Sequence, residues 1–160
     1  MPVRVQTEDF DVGRELAALR GADRSVGAVA AFVGTVRDIN ADASVAAMTL
    51  EHYPGMTEKA LAAIIADAKL RWAIVDALVV HRVGALVPAD QIVLVAVTSA
   101  HRGDAFAACE FIIDFLKTRA PFWKKEETPG GARWVEARAS DDDAAARWHD
   151  PAESAAAGKP

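Results

Sequence analysis

Apolar residues in this chain recur with two different periods, and the two alternate along its length. Val26 to Val36 (VGAVAAFVGTV) is a run of β-branched and small residues that predicts a mostly buried strand, with Gly34 marking a bend or a close approach. Val45 to Tyr53 (VAAMTLEHY) predicts a second strand, stopped by Pro54-Gly55 after a polar loop at Arg37 to Asp42. Thr57 can then cap a helix to about Trp72, because Leu61, Ile64, Ile65, Ala68 and Trp72 share one helical face. Ile74 to Val83 and Gln91 to Thr98 return to strand character, and the Gly84 and Pro88-Ala89-Asp90 breaks between them favour an antiparallel pair. From about Arg102 to Arg119 the spacing is helical again. Phe106, Cys109, Ile113 and Leu116 line one side, while Phe111, Ile112 and Phe115 add apolar surface elsewhere, so this helix should be the more buried. Pro121 ends it. Phe122 to Glu126 then reads as extended, Pro129-Gly130-Gly131 as a turn, and Arg133 to Ala137 as a returning strand.

Strands and helices interspersed in this way predict an α+β fold, and 160 residues suit one domain, expected over 1–148. A composition of 52% hydrophobic and 26% charged residues can bury a core and excludes a disordered chain. From Ala139 onward the sequence is acidic and Ala-rich. Arg147 and Trp148 are candidates to dock there, and 149–160 is expected to be a mobile tail. No apolar run approaches the roughly 18 residues that would span a bilayer, and the first residues lack a signal-peptide pattern, so a cytoplasmic protein is expected. The single cysteine, Cys109, excludes an internal disulfide and a multi-thiolate metal site. Eighteen basic against 23 acidic residues give a net charge of −5, which argues against a general nucleic-acid binder. An anion site must therefore be a local island of positive charge.

Lys117 to Lys125 (KTRAPFWKK) is such an island, with four cations and no acid. Lys117 and Arg119 fall in the last turn of the second predicted helix, and Lys124 and Lys125 lie past the proline break. A chain folding back there brings Lys117 and Lys124 together. Offsetting the helix macrodipole explains Arg119 equally well, but not Lys124 and Lys125. Converging cations would suit an anionic substrate, and a lysine among them could exchange a proton if its environment lowered its pKa. Ser99-Ala100-His101-Arg102-Gly103 opens the same helix, where free N–H groups attract anions, although a solvated surface turn fits it as well. Arg37 is open to the same two readings. Cys109 sits among apolar helix positions and reads as a core residue rather than a nucleophile. Among the tryptophans, Trp72 fits the core, and Trp123 is the best placed to meet a flat ring, although a core role is the simpler reading of it. The histidines show no metal-ligand spacing, and no nucleotide-binding glycine loop is present.

Several longer motifs carry a resemblance: Phe32-Val33-Gly34-Thr35-Val36-Arg37, Leu50-Glu51-His52-Tyr53-Pro54-Gly55-Met56, His81-Arg82-Val83-Gly84, Thr98 to Arg102, Leu116 to Lys125, and Arg133-Trp134-Val135-Glu136. Over about residues 26–148, and in this order, the chain resembles the large, catalytic subunits of molybdopterin synthase. The resemblance implies an α/β hammerhead-type region with an additional antiparallel β subdomain. It implies transfer of sulfur to cyclic pyranopterin monophosphate from the C-terminal Gly-Gly thiocarboxylate of a small ubiquitin-like subunit. It also implies a homodimer carrying two such small subunits, a heterotetramer, with no metal or resident cofactor. By motif, Lys117 and Lys124 correspond to the active-site lysines. Arg37, His101 and Arg102 correspond to phosphate or pterin contacts, and Thr35, Val36, Lys125 and Glu126 line the same site. The competing expectation is a non-catalytic scaffold that holds the tail of a ubiquitin-like partner.

Overall fold

The computed structural model describes residues 2–40, 43–135 and 139–148. The chain runs β1 (Val3–Gln6), α1 (Val12–Arg20), β2 (Ala28–Thr35), β3 (Ile39–Asn40), β4 (Ala43–Ser44), β5 (Ala47–His52) and α2 (Met56–Arg71). It continues through β6 (Ile74–Arg82), β7 (Gly84–Leu86), β8 (Gln91–Ser99), α3 (Arg102–Arg119), β9 (Phe122–Thr128), β10 (Gly131–Val135) and α4 (Ala139–Ala146). None of these helices is long and apolar enough to cross a membrane.

Two four-stranded sheets organise the molecule. The first has the order β1-β6-β8-β2, with β1 parallel to β6 and the other pairs antiparallel. Its central strands are apolar at successive positions because both faces are covered. Val79, Val93, Val95 and Val97 belong to the main core with Leu61, Ile64 and Ile65 of α2 and Phe111, Ile112 and Phe115 of α3. Leu78, Val80, Leu94 and Ala96 point the other way, against Phe10 and the α1 residues Val12, Leu16 and Leu19. The second sheet, β10-β9-β5-β7, is antiparallel throughout and has its own small core of Val36, Met48, Leu50 and Leu86. This is the α+β arrangement with an added antiparallel unit.

Several local expectations need correction. Gly55 occupies the N-cap position of α2, its N–H donating to Glu58 Oε2 at 2.6 Å. Thr57 lies inside the first turn instead, fully buried, accepting from Tyr53 N–H and donating to the Pro121 carbonyl at 3.0 Å. Its hydroxyl therefore joins α2 to the start of β9. Phe106 is 66% exposed, because the buried face of α3 follows Ala105, Ala108, Cys109, Ile112 and Leu116, a stripe rotated away from it. The acidic segment after Ala139 is helical to Ala146. Trp148 packs edge-on against Trp72 and Phe111, with ring centroids 5.5 and 5.7 Å away, and donates Nε1–H to Asp114 at 2.7 Å. The expected tail, 149–160, lies outside the described residues.

Candidate active site

A cavity of about 330 Å³ opens between the second sheet, the end of β2 and the C-terminal turn of α3. Its position follows from an irregularity in the first sheet. Gly34 pairs with Val93 and Thr35 with Gln91, so Ile92 has no partner of its own and the register shifts at that point. A Cβ at Gly34 would stand 2.9 Å from Val93 Cγ1, so the close approach requires glycine. Past the irregularity, Thr35 ends β2, Val36 and Arg37 follow it out of the sheet, and all three line the cavity together with Ile92.

Lys117 reaches the cavity from the last turn of α3. Ala120 is extended, as the following Pro121 requires, and the chain re-enters as β9. Successive residues of a strand face opposite sides, so Phe122, Lys124 and Glu126 line the cavity. Trp123 and Lys125 face the other way. Lys125 lies over the Trp134 ring at 5.8 Å, and Trp123 is half-exposed. The structure therefore removes Lys125 from the cavity, and Trp123 with it. Arg119 is also outside, paired with Asp67 at 3.1 Å and stacked over Phe115.

Glu126 is 2% exposed, and its carboxylate is heavily engaged. Oε1 accepts from Asn40 Nδ2 at 2.6 Å and lies 3.7 Å from Lys124 Nζ. Oε2 accepts from Arg133 Nη2 at 3.1 Å, and the same nitrogen donates to the Asn40 carbonyl at 2.9 Å. A phosphate would be repelled by this carboxylate, so its contribution is to hold Lys124 and Arg133 in place.

His81 on β6 also lines the cavity, 4% exposed, its ring stacked on Phe122 at 3.8 Å. Burial pushes its imidazole down to about 4, and Lys117 and His52 nearby add to the effect. Cys109 is buried on α3, and burial raises its thiol to about 11, so it is not poised as a nucleophile. Asp141 of α4 completes the cavity wall.

Six of the nine site residues read from the sequence thus line one cavity: Thr35, Val36, Arg37, Lys117, Lys124 and Glu126. His101 and Arg102 do not. They sit exposed at the N-terminal end of α3, and 15 residues at 1.5 Å each put them roughly 22 Å along the axis from Lys117. Asn40, His81, Arg133 and Asp141 were not anticipated. The HRVG motif offered a signal for His81, while Asn40 and Arg133 are joined to Glu126 only by the folded chain.

The same chain matches known proteins over most of its length. The family model described as MoaE protein matches residues 5–119. A molybdopterin synthase catalytic subunit of Ralstonia nicotianae is 66% identical over 146 residues, 91% of this chain and 83% of the relative. Among solved structures, the molybdopterin biosynthesis MoaE protein of Burkholderia ambifaria superposes with a TM-score of 0.78 at 60% identity, over 92% of this chain and 98% of that one. Molybdopterin synthase of Staphylococcus aureus gives 0.79 at 32% identity, over 85% and 98%. Matched in sequence and in fold, the chain belongs to the MoaE family of molybdopterin synthase catalytic subunits.

Proposed function

We propose that this chain transfers sulfur from the C-terminal thiocarboxylate of a small ubiquitin-like subunit to cyclic pyranopterin monophosphate, forming the dithiolene of molybdopterin. The observation that carries this reading is the meeting of Arg37, Lys117 and Lys124, from three separate segments, at one cavity of a chain whose net charge is −5. A phosphate and a thiocarboxylate repel each other, and fixed cations at the meeting point offset that repulsion. The thiocarboxylate sulfur bonds to a substrate carbon as the carbon–oxygen bond there breaks, an ammonium of the lysine pair giving its proton to the departing oxygen. Water then cleaves the resulting thioester, releasing the small subunit as its carboxylate and leaving the sulfur on the substrate. The cavity wall formed by Met48, Leu50, Ile92 and Leu116 suits the uncharged ring of the substrate.

The assembly proposed is a homodimer with one small subunit per chain, working in the cytoplasm. Strand β2 is a sheet edge with Val29, Phe32 and Val33 exposed, and α3, packed on it, exposes Phe106, which supports pairing of two copies there. Incubation with the thiocarboxylated small subunit and the cyclic pyranopterin is expected to yield dithiolene pterin. Lys117→Ala is expected to lower the rate at least about 100-fold. Undiminished product from that variant would overturn the role given to Lys117.

A further inference from the structure

His81 is held in a single state by its surroundings. Its Nδ1 lies 2.8 Å from the Arg82 carbonyl, and a carbonyl oxygen only accepts, so Nδ1 carries the proton and Nε2 carries a lone pair. Phe122 fixes the plane of the ring from one side. Among the described residues Nε2 makes no hydrogen bond, yet no sealed side-chain nitrogen or oxygen there is left without a partner. Nε2 therefore opens onto the cavity that the residue lines. Burial opposes protonation of the ring most, and Lys117 from α3 and His52 from β5 lie near enough to oppose it further.

The cavity around it is rich in donors. Arg37, Lys117 and Lys124 can only donate, and the Glu126 carboxylate already accepts from Asn40 and Arg133. An anionic group on a ligand satisfies the cations but offers nothing to a neutral imidazole lone pair. A neutral N–H does.

We propose that His81 is a substrate-binding residue whose Nε2 accepts a hydrogen bond from an amide-type N–H of the bound reactants. This rests on the sulfur-transfer reading, which supplies two sources of such a group: the ring N–H of the pyranopterin and the backbone N–H of the partner's Gly-Gly tail. Two variants separate acceptor chemistry from shape. His81→Phe keeps a flat ring against Phe122 without an acceptor, and His81→Gln keeps an acceptor without the ring. With the thiocarboxylated small subunit, His81→Phe is expected to raise KM for the pyranopterin, or Kd for the small subunit, by roughly 3- to 10-fold, the loss of one hydrogen bond. A change in KM identifies the pterin as donor, and a change in Kd identifies the tail. His81→Gln is expected to recover most of that loss.

Both constants unchanged in His81→Phe, or a His81→Gln protein as impaired as His81→Phe, overturns the proposal. Imidazole nitrogen NMR of the wild-type chain provides an arm independent of variant folding and of turnover. The Nε2 resonance is expected to move upfield when the pyranopterin or the small subunit is added, and an unmoved resonance with ligand demonstrably bound overturns the proposal. Wild-type protein that forms no dithiolene refutes the sulfur-transfer reading itself, and the resonance then decides the acceptor role alone.

Discussion

Glu126 shows how one buried charge can set the geometry of several others. Its two oxygens take hydrogen bonds from Asn40 and Arg133 and hold Lys124 nearby, so the carboxylate is a positioning group. Glu126→Gln keeps the shape and removes the charge that holds both cations. We expect a loss of about 1–3 kcal/mol of stability by denaturant titration, and a 10- to 100-fold loss of dithiolene formation from the displaced lysine. His81 carries a pH signature. Its imidazole titrates at about 4 in the folded chain against 6.5 when free, so between those values the unfolded chain binds a proton that the folded chain refuses. Stability is therefore complete above about pH 6.5 and falls as the pH drops towards 4. At pH 5 the wild type should have lost about 2 kcal/mol more than His81→Phe, relative to pH 7, in paired denaturant titrations. Lys117 and Lys124 were legible in the sequence because a cation cluster in an acidic chain has few structural explanations. Arg37, which reads equally well as a solvated loop residue, was singled out only by the family motif ending at it. Asn40 and Arg133 were not, since their bonds to Glu126 join residues that only tertiary folding brings within reach.

Helix α3 matched its sequence pattern from Arg102 to Arg119, since eighteen residues give the helical period room to declare itself. Short elements did not. β1 spans four residues, β7 three, and β3 and β4 two each, too few for any periodicity; β1 and β7 form on the neighbouring strands β6 and β5, and β3 and β4 form by pairing with each other. The inward face of β9 was illegible for a different reason. Phe122-Lys124-Glu126 and Trp123-Lys125-Glu127 both read aromatic, lysine, glutamate, so the sequence does not say which set faces in. Helix α4 illustrates docking by its end. Arg147 pairs with Asp114 and Glu110 of α3, and Trp148 enters the Trp72–Phe111 cluster. Trp148→Ala should cost about 2–4 kcal/mol in global stability. It should also raise hydrogen exchange selectively in Ala139–Ala146, and uniform exchange across the chain would show that α4 does not depend on this anchor.

The whole chain leaves His101 and Arg102 at the wrong end of α3 to meet Lys117 within one copy. If these residues contact substrate, as their motif implies, they do so from the second copy of the proposed dimer. Mixing Lys117→Ala and Arg102→Ala chains tests this. With sites built across copies, each mixed dimer has one intact site, and random pairing should restore about a quarter of wild-type activity. With sites built within a copy, mixing restores none. The duplicated pattern of β9 has a consequence at the same level. A slip of one position would exchange one triplet for its near-equivalent, so chemical likeness cannot keep the ribbon in frame. The clamps come from elsewhere: Thr57 of α2 grips the Pro121 carbonyl at 3.0 Å, and Asn40 of β3 grips Glu126 at 2.6 Å. The alignment of the reactive ammonium at Lys124 is thus inherited from segments that bring no cation of their own to the chemistry.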